Sequence, residues 1–406
     1  MVSLSSVYCH LEFLPSFCKV DEQPTPPSKF PQKSPWRIIL QHSKKQSTCR
    51  FTACNKSHYL GWDAVEALDC TLQDICNDDR LFGGITVILG GDFLQTLLIV
   101  PWGSRVDIVD ATILHSYLWE HAKILSLQQN MRLEQGGQDT QESARWLLDI
   151  GHSHNIINKN KIQFPDHMRV GSADLLIKSI YPAIDSIPPP PPKYFLNCMI
   201  LAPRNIDVGE INQEILDRMA GESCQYISAD EIIQEPGADP QNDEPIPIEY
   251  LHAVNSSSLP PGKLNLKVGC PVILLWNLSP AQGLCNGTRM VITQMGDQVL
   301  EVWLLGGWKR WAIGTYPLNF IDPHKYSWSL LSIFSVCLAF TLSINKSQGQ
   351  SVQHIGLYLR LPVFAHGQLY VALSHATSPH NIKILLLDDA EESVTTNVVY
   401  NKVLID

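Results

Sequence analysis

From about residue 63 onwards, the chain alternates between helix-like and strand-like patterns of apolar residues. Over 63–77, apolar residues recur at the spacing of one helix face, which predicts an amphipathic helix. The residues on that face are Val65, Leu68, Leu72 and Ile75. The next run, 85–89, reads Ile-Thr-Val-Ile-Leu and is typical of a strand buried on both faces of a parallel sheet. Together these patterns predict an α/β domain.

Small residues and a carboxylate follow this strand as Gly90, Gly91 and Asp92. The carboxyl end of a buried parallel strand is the edge at which α/β sheets bind their ligands. Glu66 and Asp69 lie on the preceding helix, where we expect them to be solvated surface charges.

The alternation continues to the end of the chain and predicts a second α/β unit that begins near residue 195. The predicted strands are 121–127, 197–201, 335–344, 355–359 and 382–387, the predicted helices are 141–152 and 206–219, and 368–373 continues the pattern. Five consecutive prolines at 188–192 predict a stiff linker or an exposed loop before the second unit.

Residues 222–330 follow a different pattern, in which Gly, Pro and Asn turn signals separate short apolar runs. Many short strands between turn signals are typical of a small β-barrel. The predicted strands are 272–275, 290–293, 299–305 and 311–314. Because α/β patterning resumes afterwards, we expect the barrel to be inserted into the second α/β unit.

The first 50 residues are rich in proline, and 19–45 is also polar. Proline removes a backbone donor and breaks helices and central strands. This part of the chain is therefore predicted to be mostly irregular, with one short strand possible at 36–40.

Composition narrows the class of protein. The net charge of −10 disfavours a broadly basic nucleic-acid-binding surface, although one local basic groove remains compatible with it. The 11 cysteines include no CxxC pair, so zinc spacing is absent and reduced thiols are expected. The sequence has no apolar run long enough to cross a membrane and no basic region at its N-terminus, so we expect neither a transmembrane helix nor a secretory signal.

Six strings together resemble Pif-type DNA helicases of superfamily one. In chain order they match motif III, the strand that opens the second RecA-like domain, two parts of the inserted barrel, motif V and motif VI. The strings are Ile88–Thr96, Leu201–Asn205, Leu266–Val272, Leu284–Arg289, Ser343–Ser351 and Gln368–His375. The resemblance covers about residues 52–406 and, through 130–133 and 397–400, looks closest to the helicases that Helitron transposons encode.

This resemblance implies an α/β fold with two RecA-like P-loop NTPase-type domains, of which the first is incomplete, and a small β-barrel inserted in the second. The implied domains are a divergent proline-rich segment, a partial first RecA-like domain, a linker, a second RecA-like domain in two pieces, and the inserted barrel. Their bounds are, in that order, 1–51, 52–175, 176–193, 194–222 with 331–406, and 223–330.

The implied activity is that of an ATP-dependent 5′→3′ DNA helicase, which acts in DNA recombination, repair, telomere maintenance or Helitron transposition. The implied cofactors are ATP and Mg²⁺, the implied partner is single-stranded DNA, and the implied location is the nucleus. No partner for oligomerisation is indicated.

Several residues match positions with family roles. Gln95 and Arg132 match residues that approach the phosphates, and Gly90, Gly91, Asp92, Gln348 and Gly349 match nucleotide-binding positions. The positions implied to contact DNA are Asn345, Lys346, Ser347, Tyr370, Ser374 and Arg289. Lys267 is a further cation in the barrel that could meet phosphates, and Trp276 could stack a base or simply pack.

Other positions depart from the family pattern. The sequence contains no G-x-x-x-x-G-K-[ST], the loop that cradles nucleotide phosphates. Asn55 and Lys56 align with the acidic pair that binds Mg²⁺ and positions water. His375 stands at the arginine-finger position, and Leu94 replaces a further arginine. Histidine lacks the bidentate, permanently charged guanidinium, so we expect ATP binding to be doubtful and hydrolysis to be severely slowed.

Three interpretations remain open. The chain could be a helicase whose phosphate loop is supplied by an upstream segment, a remnant that binds single-stranded DNA without hydrolysing ATP, or a transposon relic without function. Damage at several separate ATP elements favours the second or the third.

Overall fold

Strands and helices alternate through most of the chain in the computed structural model. The structure describes residues 7–10, 50–52, 61–100, 102–126, 138–154, 160–227, 231–232, 263–278, 283–296, 299–305, 313–317, 330–331, 336–350, 352–376, 378–386 and 394–405. The predicted strand at 36–40 and the polar segment 19–45 lie outside these residues.

The elements agree with the predicted pattern over most of the described chain. The elements are β1 (Val7–His10), β2 (Arg50–Thr52), α1 (Trp62–Cys76), β3 (Thr86–Gly91), α2 (Arg105–Asp110), β4 (Lys123–Ser126), α3 (Gln138–His152), β5 (Lys161–Gln163), α4 (Ala173–Ile180), β6 (Cys198–Ala202), α5 (Asn205–Arg218), β7 (Cys224–Ile227), β8 (Glu231–Ile232), β9 (Lys263–Leu266), β10 (Pro271–Leu274), β11 (Arg289–Met295), β12 (Val299–Leu305), β13 (Ile313–Pro317), β14 (Leu330–Leu331), β15 (Val336–Leu338), β16 (Thr341–Ser343), α6 (Ile344–Ser347), β17 (His354–Leu359), α7 (Gln368–Ser374), β18 (Ile382–Leu386) and β19 (Val394–Thr396). The predicted strand 335–344 is in fact two strands, β15 and β16, and the chain turns helical at Ile344.

Two compact units make up the chain. The first contains Met1–Ile162, Val363–Ser374 and Thr396–Asp406, and the second contains Gln163–Pro362 and His375–Thr395. This division places α7 in the first unit, whereas the family-based boundaries assign 331–406 to the second RecA-like domain. The family-based boundaries therefore stay a prediction.

The first unit is built on a four-stranded sheet of order β2-β3-β1-β4. Its core contains Val65, Leu68 and Leu72 of the predicted apolar face of α1, whereas Ile75, the fourth residue of that face, is exposed. Val87 and Leu89 of β3 pack in the same core, which also takes in Tyr400 and Val403 near the end of the chain. The helix and strand predicted from periodicity thus form one hydrophobic core.

Strand β1 was not predicted, and its direction is unusual for this sheet. It pairs antiparallel with both β3 and β4, with Val7 opposite Gly91 and His10 opposite Ile88. Strand β2, by contrast, runs parallel to β3. The carboxyl end of β1 therefore points away from the edge at which β3 ends.

The second unit contains a parallel sheet of order β16-β6-β17-β18 and an antiparallel sheet of order β13-β12-β11-β10-β15. Every residue of β6 is buried, as the continuous apolar run at 197–201 predicts. Strands β10 to β13 of the antiparallel sheet lie in the part of the sequence in which short strands were predicted. Strand β15 lies beyond it, in the run 335–344 that was predicted to return to the α/β pattern, and it pairs with β10 instead. The closure of the antiparallel sheet into a barrel stays a prediction.

Arg289 connects these two sheets from a buried position. Its Nη2 donates hydrogen bonds to the carbonyl oxygens of Phe195 at 2.8 Å and Cys198 at 3.2 Å, and the residue is 6% exposed. Burial lowers the pKa of the guanidinium. The charged group of Arg289 thus faces backbone carbonyls inside the unit, and its predicted role as a DNA contact stays a prediction. Lys267 is buried in the same way, with its Nζ donating to the Met219 carbonyl at 2.7 Å.

Asp69 was expected to be a solvated charge on α1, and this expectation is wrong because the residue is completely buried. Its carboxylate accepts hydrogen bonds from the backbone N–H of Phe82, the Gln73 amide at 3.0 Å and the Tyr117 hydroxyl. Phe82 has a left-handed backbone, with φ +54°. The carboxylate thus fixes an unfavourable turn between α1 and β3. Glu66 is half-buried and accepts a hydrogen bond from Ser116 at 2.8 Å.

No helix among the described residues is both long and apolar enough to span a lipid bilayer.

We predict that Asp69→Ala lowers the free energy of unfolding by about 3 kcal/mol, because the buried Phe82 N–H and two partly buried side-chain donors lose their acceptor. Urea denaturation followed by circular dichroism measures the change. Asp74→Ala, at an exposed position of the same helix, is the matched control and should change it by less than about 0.5 kcal/mol. Equal effects of the two substitutions would contradict this role of Asp69.

Candidate functional site

The loop after β3 is organised by the carboxylate of Asp92, which is 2% exposed. One carboxylate oxygen, Oδ1, accepts the backbone N–H of Leu94 at 3.1 Å, and the other, Oδ2, accepts the side-chain amide of Gln95 at 3.1 Å. The Gln95 backbone N–H also donates to the Asp92 carbonyl at 3.0 Å. Gly90, Gly91, Asp92 and Gln95 therefore come together at the carboxyl end of β3, as the sequence predicts.

Helix α7 packs against this loop within the first unit. The Tyr370 hydroxyl lies 3.4 Å from Asp92 Oδ2, and Tyr370 itself is 1% exposed. Gly151 of α3 leaves just enough room, since a Cβ there would lie 3.0 Å from the Tyr370 ring and 3.1 Å from Leu94. The ring and hydroxyl of Tyr370 are thus enclosed by the protein, and its predicted DNA contact stays a prediction.

Leu94 stands where the family carries an arginine, and it is a core residue in this chain. The side chain is 4% exposed and lies against Gly151. A guanidinium at this position would have to be buried without water, which is costly unless it is paired. The apolar replacement is therefore matched by an apolar environment.

His366 holds the same loop from its other side. Its Nδ1 accepts the backbone N–H of Tyr400 at 2.8 Å, so the proton resides on Nε2, which donates to the Phe93 carbonyl at 2.7 Å. Burial is the main reason that the pKa of His366 falls from its ordinary value to about 4, and the positive charge of Arg105 lowers it further. The neutral imidazole thus ties the loop after β3 to the end of the chain.

Gly367 allows this close approach. Its φ is +70°, and a Cβ there would lie 2.3 Å from the Leu94 carbonyl oxygen. The Gly367 N–H donates to the Val398 carbonyl at 3.1 Å. Any larger residue would push α7 away from the Asp92 loop.

A second polar loop lies in the second unit, where α6 ends. The Ser347 carbonyl accepts two hydrogen bonds, from the Gln350 backbone N–H at 3.0 Å and from His375 Nε2 at 2.7 Å. The Ser347 hydroxyl donates to the Ile344 carbonyl at 2.7 Å, and Gly349 has φ +88°. The carbonyl that the short helix leaves without a partner is therefore satisfied by the loop and by residue 375.

The residues of this loop that were predicted to bind DNA or nucleotide divide by exposure. Lys346 and Gly349 are exposed and Asn345 is half-buried, so these three can meet a ligand. Ser347 is completely buried with its hydroxyl bonded inside α6, and its predicted DNA contact stays a prediction. Gln348 is 9% exposed, and its predicted nucleotide contact stays a prediction.

Other predicted site residues have different outcomes. His375 is 6% exposed and its ring is bonded to the Ser347 carbonyl. Ser374 is half-buried, and its hydroxyl donates to the Val371 carbonyl at 2.8 Å. Asn55, Lys56 and Arg132 lie outside the described residues. Trp276 is half-buried, so its role stays open.

Sequence reasoning did not find His366. The available signal was the pair His366-Gly367 directly before α7, in which glycine is suited to a close backbone contact. A single histidine gave no indication of its two backbone partners, which lie 273 and 34 residues away along the chain.

Comparison with known families agrees with this arrangement. The model of the PIF1-like helicase family matches residues 55–161, and that of the DNA helicase Pif1 2B domain matches residues 249–295.

Individual relatives are similar over most of the chain. ATP-dependent DNA helicase PIF1 from Homo sapiens is 24% identical over 335 residues, which cover 80% of this chain and 44% of the human protein. The protein of the same description from Rattus norvegicus is 29% identical and covers 80% and 45%. The chain thus spans less than half the length of these relatives.

Solved structures show the same fold. The crystal structure of Pif1 helicase from Candida albicans matches with a TM-score of 0.54 and 20% identity, covering 86% of this chain and 74% of that one. The structure of Pif1 helicase from Bacteroides in complex with ADP-AlF3 and ssDNA matches with a TM-score of 0.55 and 19% identity, covering 91% and 76%. These neighbours confirm the predicted α/β fold of RecA-like helicase domains.

We predict that acid destabilises the chain through His366. Because its folded-state pKa of about 4 lies below the ordinary value of 6.5, the stabilising contribution is complete above pH 6.5 and is lost as the pH falls towards 4. Between pH 7 and pH 5 the unfolding free energy should fall by about 2 kcal/mol from this group. Urea denaturation of the wild type and of His366→Gln at both pH values measures the difference, since glutamine does not titrate. An equal fall in both proteins would contradict the assignment.

Proposed function

We propose that this chain, which belongs to the PIF1-like helicase family, binds single-stranded DNA without hydrolysing ATP. The observation that carries the proposal is the loop 344–350. It presents Lys346, Asn345 and Gly349 outward, while the neighbouring position of the arginine finger is occupied by a histidine that is bonded inward. The loop therefore carries a cation and polar groups that can contact a phosphate backbone. The histidine at the arginine-finger position offers no charged group to a γ-phosphate.

The direction of β1 supports the absence of hydrolysis. A phosphate-binding loop follows the carboxyl end of a strand and opens a helix at the ligand edge of the sheet. Strand β1 lies between β3 and β4 but runs antiparallel to both, so its carboxyl end at His10 lies towards the opposite edge. This agrees with the absence of the Walker A sequence from the 406 residues.

The carboxylates support the same proposal. Both oxygens of Asp92 accept hydrogen bonds within the loop, and both oxygens of Asp69 are bonded between α1 and β3. Mg²⁺ with ATP requires oxygen ligands that remain open to it. We infer that the described residues of the first unit do not fit Mg²⁺-ATP.

The case for DNA starts from charge and backbone access. Lys346 is an exposed cation, and Gly349 offers its backbone at a position without a side chain. Short polar residues and glycine at a strand end suit close contact with phosphates. A related Bacteroides Pif1 has been crystallised bound to ssDNA, which matches the ligand proposed for this chain.

A second candidate is an ATP-dependent 5′→3′ DNA helicase. The position of Gln95 favours it, because its amide lies beside Asp92 at the ligand edge of β3, where the family places a sensor of the γ-phosphate. That activity would need the phosphate loop to come from elsewhere. Nuclear location, roles in recombination or repair, and descent from a Helitron transposon are proposed on the same ancestry.

We predict that the purified chain binds a fluorescently labelled dT20 oligonucleotide and releases no phosphate from Mg²⁺-ATP above the buffer rate, even at saturating DNA. Fluorescence anisotropy at 50 and 200 mM NaCl measures binding, which should weaken with salt because counterions are released. A colorimetric phosphate assay on the same sample measures hydrolysis. DNA-stimulated phosphate release would establish the second candidate, and no binding at 50 mM NaCl would refute the proposal.

We predict that His375→Arg does not restore hydrolysis. An arginine finger contributes about 10³ to 10⁵ in turnover, but only when the phosphates are already held in a cradle. The phosphate assay with and without dT20 tests this, and circular dichroism confirms that the variant is folded. Phosphate release that rises with added DNA would show that a cradle exists.

A further inference from the structure

We infer that His375 is a positioning residue, which sets the geometry of the DNA-facing loop 344–350 by holding the Ser347 carbonyl. The inference rests on the proposed function, since it concerns the same DNA-binding loop. It assigns a new role to a position that would otherwise be described only as a lost arginine finger.

The key contact is short and enclosed. His375 Nε2 lies 2.7 Å from the Ser347 carbonyl oxygen, His375 is 6% exposed, and Ser347 is completely buried. A carbonyl is an acceptor only, so the histidine donates. A buried hydrogen bond of this kind is costly to break, because the carbonyl has no water to replace the donor.

Both ends of this contact are fixed by further bonds within the second unit. On the histidine side, the Val352 backbone N–H donates to the His375 carbonyl at 3.3 Å, and Val352 forms a parallel bridge with Ala376. On the loop side, the Gln350 amide donates to the Gly287 carbonyl at 3.1 Å. The imidazole therefore connects two backbone segments that are already anchored, and it determines where the end of α6 lies between them.

The outer face of the same turn carries the groups that can meet DNA. Lys346 precedes Ser347 directly, and Gly349 follows it by two residues with φ +88°. If the Ser347 carbonyl loses the imidazole donor, only the local Gln350 N–H still holds it. The last turn of α6 can then rotate, and the Lys346 ammonium and the Gly349 backbone move with it. The histidine thus acts on DNA through the loop and not by touching the ligand.

The reach of the side chain explains why histidine suits this position. Glutamine places its amide nitrogen at nearly the same distance from the backbone as Nε2 of histidine, whereas asparagine is one bond shorter and falls short of the carbonyl. Arginine is longer and brings a permanent charge into an enclosed site, where desolvation is costly. Comparing the glutamine and asparagine variants therefore tests the length of the side chain, because both carry the same carboxamide donor.

The experiment compares His375→Gln and His375→Asn in the full chain, with dT20 as the probe. We expect His375→Gln to bind within about twofold of the wild type and His375→Asn to bind about tenfold more weakly, which corresponds to about 1.4 kcal/mol. The salt dependence should also change in the asparagine variant. The slope of log K against log salt should become less negative by about 0.7, which is the change expected when one phosphate contact on a single strand is lost.

A double-mutant cycle with Lys346→Ala shows whether the effect passes through the loop. Alone, Lys346→Ala should weaken binding and make the slope of log K against log salt less negative by about 0.7. In the His375→Asn background it should add little, because the lysine is already displaced. Lys178→Ala, an exposed lysine on α4 of the same unit, is the control and should leave the affinity unchanged within about twofold in both backgrounds.

The outcomes separate the two proposals. If the wild type does not bind dT20, the proposed function fails and the inference fails with it. If the wild type binds but His375→Asn has the same affinity and salt slope, or if its loss simply adds to that of Lys346→Ala, only the inference is overturned. A lower melting temperature of His375→Asn with unchanged affinity would show a purely structural role and would also overturn it.

Discussion

A buried carboxylate whose two oxygens both already accept hydrogen bonds limits which ligands the carboxyl end of β3 can bind. Asp92 accepts the Leu94 N–H and the Gln95 amide, and Tyr370 lies against it from α7. A carboxylate that is enclosed by its own loop is stable because its donors compensate for desolvation. The same compensation leaves it little capacity for a metal ion. The ligand edge of this α/β sheet is therefore organised by internal hydrogen bonds, with His366 holding the loop from the other side.

The second unit follows the same physical rule at a different place. The Ser347 carbonyl at the end of α6 accepts the Gln350 N–H, and His375 supplies its second donor. A position whose family role is to approach a nucleotide thus takes part in an internal bond. The exposed side of the loop keeps Lys346 and Gly349, so the internal bond and the outward groups belong to one turn. The proposed loss of ATP hydrolysis and the proposed binding of DNA are therefore compatible. The inward face of the turn makes the hydrogen bond to His375, and its outward face carries Lys346 and Gly349.

Periodicity was sufficient to predict most of the fold, because apolar spacing reports burial directly. Helix α1, strands β3 and β6 and the short strands of the antiparallel sheet all lie close to their predicted positions. Periodicity did not predict the partners of polar residues, whose environment depends on distant parts of the chain. Asp69 is bonded to Tyr117, 48 residues away, and Arg289 is bonded to Phe195, 94 residues away. Strand β1 was missed because four residues give too short a pattern, and its pairing with β3 spans about 80 residues of sequence.

The acidic balance of the chain constrains how it would hold the single-stranded DNA proposed as its ligand. With 30 basic and 40 acidic side chains, long-range attraction of a polyanion is weak, and affinity must come from contacts made at short range. Short-range contacts depend on direction, whereas long-range attraction does not. A lysine and a glycine on a loose turn would sample many orientations and would lose entropy on binding, while the same groups on a turn fixed from within are already oriented. An acidic protein that binds a phosphate backbone therefore depends more on the rigidity of its loop than a basic one does, and the buried hydrogen bond under Lys346 supplies that rigidity.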